Sequence, residues 1–126
     1  MLQGRTVTLR RVERVLNRLR NKAEVVAAYL FGSQVDDHPD EFSDIDIAVF
    51  VNDFRRWTFM RQVRVSCGIK EAEGDDLDLH FFDAAELPGP HPATFAGYVV
   101  HHGVPIRLPG KRSGAIGMQR TGAISR

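Results

Sequence analysis

The sequence predicts an α/β (α+β) domain, a small mixed β-sheet with helices packed on it. Three observations predict it. An amphipathic stretch opens the chain, three short apolar runs of strand length follow, and spans of helical or turn character separate them. The resulting order is helix, strand, strand, helix, strand, helix, strand.

Leu9, Val12, Leu16 and Leu19 recur at helical spacing with arginines between them. That spacing predicts an amphipathic helix of about three to four turns, capped by Thr6 or Thr8 and leaving at Asn21-Lys22. Val25 to Phe31 is continuously apolar and ends at Gly32-Ser33; its length and β-branched start predict a fully buried strand, although period alone does not exclude a helix. Gln34 to Ser43 is polar and holds Pro39, so it reads as a loop. Asp44 to Val51, DIDIAVFV, alternates and then turns wholly apolar, as a strand with one wet end does. Asp53 is positioned to cap a helix over about residues 54–73, weakened in the middle by Cys67-Gly68. Leu77 to Phe82 is a third strand. After the break at residues 88–90, residues 92–102 fit a short helix with Phe95, Val99 and Val100 inward, Gly103 as its C-cap and a short strand over 104–108.

The 126 residues are 43% hydrophobic and 26% charged, values that suit one folded core and disfavour global disorder and coiled coil. Residues 1–108 are expected to form the domain and 109–126, rich in glycine and basic side chains, a flexible tail. No apolar run approaches the roughly 18 residues of a membrane span, and the N-terminus lacks the apolar stretch of a secretory leader. A cytoplasmic protein with no membrane contact is expected. Cys67, the single cysteine, can form neither an internal disulfide nor a thiolate metal site alone, and reads as a small buried or half-buried residue.

The net charge of +1 hides a segregation. Arg5, Arg10, Arg11, Arg14, Arg18, Arg20 and Lys22 crowd the first 22 residues against Glu13 alone. Fifteen acids lie within residues 23–86. The basic cluster suits a solvated helix face first, with nucleic acid or an acidic partner as the alternatives.

The acids carry the chemistry. Asp44 and Asp46, two apart on a strand, point to one face while Ile45 and Ile47 point to the other. Asp78 repeats the pattern between Leu77 and Leu79. If the two strands pair, three carboxylates converge, and anions that close repel unless one is neutralised or a cation sits among them. A hard divalent ion resolves this, and Mg²⁺ fits best because it keeps waters and binds phosphate. The bland alternative is a solvated acidic face. Asp76 shares the face of Asp78 by the same period and is the other candidate for the third acid, although Leu77 and Leu79 favour Asp78. His80 also shares that face, in reach of metal or phosphate or simply at the surface. His101-His102 reads as a solvated helix end, and Trp57, Phe59 and Met60 read as core first, with partner contacts as the alternative.

Gly32-Ser33 sits where a bare backbone and a hydroxyl can approach phosphate oxygens. With Phe31-Gly32-Ser33, Ser43-Asp44-Ile45-Asp46-Ile47-Ala48-Val49, Leu77-Asp78-Leu79 and the stretch ending His102-Gly103-Val104-Pro105-Ile106, the chain resembles a minimal nucleotidyltransferase (MNT-type) of the DNA polymerase beta superfamily. The resemblance covers about residues 8–108. It implies that Gly32 and Ser33 hold the triphosphate of an NTP. It further implies that Asp44 and Asp46 bind two Mg²⁺ ions, and that Asp78 helps bind the metal facing the acceptor and activates the attacking hydroxyl. Small members often carry Gly-Ser-x-Ala-Arg-Gly. Here Asp36 replaces the arginine and Asp37 the second glycine, and two anions there oppose phosphate binding unless they point outward.

The length leaves no room for a second, acceptor-holding domain, so the acceptor is expected from another chain or from self-association. An antibiotic or tRNA nucleotidyltransferase is disfavoured on the same ground. Stand-alone proteins of this kind resemble the antitoxin of HEPN/MNT toxin–antitoxin systems, which transfers AMP from ATP to a tyrosine of a helical ribonuclease toxin. The resemblance therefore implies an ATP- and Mg²⁺-dependent enzyme with a HEPN-type partner. The alternative is a weak or inactive module that neutralises its partner by covering it. Direct nucleic-acid binding stays open.

Overall fold

The computed structural model describes residues 2–32, 44–87 and 89–108. Its elements are α1 (Leu2–Leu19), β1 (Val25–Phe31), β2 (Ile45–Val51), α2 (Phe59–Glu73), β3 (Leu77–Asp83), α3 (Phe95–His102) and β4 (Val104–Ile106). The order matches the one read from the sequence. The four strands make one mixed sheet in the order β3-β2-β1-β4. β1 is antiparallel to β2 and β4, whereas β2 and β3 are parallel. Parallel neighbours need a crossover, and α2 supplies it.

Alternation along the strands divides the interior in two. On one face, Val12, Leu16 and Leu19 of α1 and Val65 and Ile69 of α2 pack on Ile45, Ile47, Val49 and Val51 of β2. On the other, Ala96 and Val99 of α3 pack on Phe31, Ala48 and Phe50. β2 is therefore covered on both sides from Ile47 onward. That is why its sequence changes from alternating to continuously apolar after Asp46.

α1 begins at Leu2 and runs through Thr6 and Thr8, so neither caps it. Its buried stripe is Val12, Val15, Leu16 and Leu19, a complete i, i+3, i+4, i+7 set, and Leu9 lies one turn outside it, exposed. β1 is not fully buried: a register shift between Val25 and Ala27 leaves Val26 exposed. Asp53 adopts the left-handed conformation before a single 3₁₀ turn, Phe54–Arg56, and makes no side-chain cap. α2 starts later, where Thr58 accepts a hydrogen bond from the Arg61 backbone N–H.

Phe59 and Met60, read as core, are 74% and 63% exposed. They occupy the first turn of α2, outside the Val65–Ile69 stripe that meets the sheet. Trp57 alone of the three packs inward, against Phe54 and Phe81. Cys67 is exposed, since it falls between those two buried positions on the opposite side of the helix. α3 begins at Phe95 after a Thr94 cap, later than expected. Gly103 does follow it, but at φ −79°, so the left-handed conformation is not its reason. A Cβ there would stand 2.6 Å from the Val99 carbonyl oxygen, which excludes any side chain. β4 stops at Ile106, and Leu108 is buried beyond it.

Three arginines of α1 are anchored rather than free. Arg11 donates to both oxygens of Asp76, at 2.9 and 2.8 Å, and to the Glu73 carbonyl at 2.7 Å. Arg14 and Arg18 each donate to one oxygen of Glu73, whose side chain is only 6% exposed. Much of the basic cluster thus straps α1 to the turn between α2 and β3. Among the described residues, no helix is long and apolar enough to cross a membrane. The expected tail, 109–126, and the expected loop, 34–43, lie outside the described residues.

Candidate active site

The parallel register of β2 and β3 decides which acids meet. It sets Asp46 opposite Asp78, Ala48 opposite His80 and Phe50 opposite Phe82. Side chains at these alternate positions share one face. That face is therefore polar where both strands begin and aromatic towards their ends. His80 lies between the two carboxylates, its Nε2 3.2 Å from Asp46 Oδ1 and 3.4 Å from Asp78 Oδ2. With the proton on Nε2, the imidazole donates to Asp46. The ring meets Phe31 at 5.1 Å and Phe95 at 5.5 Å between centroids, both edge to face. Phe31, which is buried, and Phe95, which is exposed where the sequence predicts it inward, flank the ring.

Asp46 is the more enclosed carboxylate, with 24% of its side chain exposed against 49% for Asp78. Burial pushes the Asp46 carboxyl above the ordinary range, and the charges of Asp78 and Asp44 push the same way. The hydrogen bond and charge of His80 act against them. A site that resists charging its central carboxylate is one that a cation would stabilise.

Each residue singled out in the sequence can be placed. Gly32 ends β1 with φ +80°, and a Cβ on it would collide with the Asp46 carboxylate. Phe31 is the register partner of Asp46, which brings the next residue, Gly32, against that side chain. Ser33, Asp36 and Asp37 lie outside the described residues. Asp44 precedes β2 and is exposed, near enough for its charge to act on Asp46. Asp76 faces elsewhere. It precedes β3, so strand alternation does not reach it, and Arg11 holds both its oxygens. Phe95, which meets His80 across from Phe31, gave no sign in the sequence of belonging to a site, because an aromatic residue there reads equally well as core.

Asp46, Asp78 and His80 each offer a ligand atom within 4.8 Å of the others, a donor set that fits a divalent cation. Gly32 packs its bare backbone against the Asp46 carboxylate, with no room for a side chain between them. The arrangement can hold a cation against a bare backbone turn, as phosphate chemistry requires. The family model described as Polymerase beta, Nucleotidyltransferase matches residues 13–103, a span that includes Gly32, Ser33, Asp44, Asp46, Asp78 and His80. No curated protein and no solved structure gives a significant match.

Proposed function

The chain belongs to the polymerase beta nucleotidyltransferase family, and from that premise we propose that it transfers AMP from ATP to a hydroxyl of a partner protein. The proposed partner is a HEPN-type ribonuclease toxin, to which the chain serves as antitoxin. The observation that supports a transferase best is the facing pair Asp46 and Asp78 at the start of neighbouring parallel strands.

In this reading Asp44, Asp46 and Asp78 are the residues that hold two Mg²⁺ ions. Divalent cations held by these carboxylates would neutralise phosphate oxygens and stabilise charge developing in the displacement. Gly32 keeps the backbone beside Asp46 bare so that a triphosphate can approach, and the Ser33 hydroxyl donates to a phosphate oxygen. Asp78, the more exposed of the facing pair, takes the proton of the incoming hydroxyl. The hydroxyl oxygen bonds to the α-phosphorus, the bridging bond to the β-phosphate breaks, and pyrophosphate leaves with its electron pair. Orientation and charge neutralisation are the protein's contribution.

The test is direct: full-length protein, α-labelled ATP, Mg²⁺ and the product of the neighbouring gene. Label retained on that product, and absent with Asp46→Asn, supports transfer. One feature favours a second reading, a module that neutralises its partner by binding alone. Asp36-Asp37 stands where small members carry Arg-Gly. Wild-type protein that binds the partner tightly, yet takes up no ATP with Mg²⁺ present, would decide for it.

A further inference from the structure

We infer that His80 is itself a cation ligand and gives the site a preference for Mn²⁺ over Mg²⁺. The inference rests on reading the facing carboxylates as a divalent-cation site. Neighbouring ligands of an octahedral ion bound at about 2.1 Å stand about 3.0 Å apart. Nε2 of His80 lies 3.2 Å from an Asp46 oxygen and 3.4 Å from an Asp78 oxygen, close to two edges of such an octahedron. The ring cannot easily turn aside, because Phe31 and Phe95 meet it edge to face. In the tautomer protonated at Nδ1, Nε2 carries a lone pair within 3.4 Å of an oxygen of each carboxylate.

A neutral nitrogen adds a donor without adding to the repulsion between the acids. It also changes which ion fits best. Carboxylate, carbonyl and water ligands suit Mg²⁺, whereas imidazole favours first-row transition ions, of which Mn²⁺ also accepts carboxylates readily. An all-carboxylate set carries less of this bias. His80 therefore serves as the residue of this chain that selects the cation.

Binding of Mn²⁺ and of Mg²⁺ to the full chain, measured by calorimetry for wild type and His80→Gln, tests the affinity. Pulsed electron paramagnetic resonance of the Mn²⁺-loaded wild type, grown with ¹⁵N-histidine, tests the bond without any variant. Expected are nitrogen coupling to Mn²⁺ in the wild type and its loss in His80→Gln. That variant should bind Mn²⁺ about tenfold more weakly, with Mg²⁺ affinity changed much less. Mn²⁺ bound by wild type without histidine coupling, or equally well by His80→Gln, overturns the role of His80 and leaves the carboxylate site standing. Wild-type protein that binds neither ion overturns both readings.

Discussion

Gly32 lies against the carboxylate of Asp46, so close that no side chain fits between them. The contact follows from strand register: Phe31 pairs with Asp46, and the chain turns at the next residue with φ +80°. Glycine is required there twice over, by the left-handed backbone and by the missing space. Gly32, which the proposed function places beside the phosphates, and Asp46, which it places on the metal, are thus one packed unit.

Gly32→Ala should therefore disturb both functions together. The strained backbone should cost about 1–3 kcal/mol of stability. Displacement of Asp46 should weaken cation and nucleotide binding alike. Thermal melts with paired cation and ATP titrations check this. Unchanged cation affinity in a destabilised variant would separate the turn from the metal site.

Asp46→Asn and Asp78→Asn should each slow transfer by roughly a thousandfold, about 4 kcal/mol of barrier, with the fold intact. Asp46→Asn should also melt at a higher temperature than wild type at neutral pH, because burial penalises the Asp46 charge. The sign follows from a folded-state pKa above the unfolded one: the penalty exists where Asp46 is ionised and fades as pH falls through that raised value. Single-turnover rates and melts at neutral and mildly acidic pH read both effects. A variant that transfers at the wild-type rate would remove its residue from the mechanism.

Acid should loosen the attachment of α1. Arginines hold Glu73 and Asp76 below the ordinary carboxylate range, Arg18 foremost for Glu73 and Arg11 for Asp76. Groups with lowered folded-state pKa values add stability that is complete above about pH 4 and is lost as pH falls through those lowered values. Arg11→Met should cost about 1–2 kcal/mol near neutrality, a value kept modest by the partial exposure of Asp76. The variant should also show a shallower loss between about pH 4 and pH 2. Urea midpoints across that range measure it. An unchanged acid slope would mean that the strap adds no stability.

The exposed start of α2 gives a contrast within one helix. Phe59→Ser should change stability by no more than about 0.5 kcal/mol, since the ring is largely in solvent. Ile69→Ala, at a position 1% exposed, should cost about 2–4 kcal/mol. Denaturant midpoints for the two variants check the placement. Equal losses would show that Phe59 is packed.

The element order and most of the site face were legible because they are written in local period. Isoleucine and aspartate alternate at the start of β2, leucine and aspartate at the start of β3, and period two assigns each set to its own side. Where period is weak, the reading failed. α2 buries only Val65 and Ile69, so its sequence could not show that Phe59, Met60 and Cys67 face water. Leu9 looks as apolar as Val15, yet Leu9 is exposed and Val15 fully buried.

By itself the sequence determined the class of fold, the glycine that follows β1 and the supply of carboxylates on one side of two strands. Which of those acids face each other was decided by the tertiary structure alone. Asp76 and Asp78 differ little in sequence, but Arg11, 65 positions away from Asp76, takes that residue, and parallel register gives Asp78 to Asp46. The place of His80 between the carboxylates likewise depends on Phe31 and Phe95, which come from distant parts of the chain. The physical reason is the same in each case. Period fixes the face a side chain points from, whereas a charge's partner is fixed only when separate elements pack, because Coulomb attraction and hydrogen bonding act across space and not along the chain.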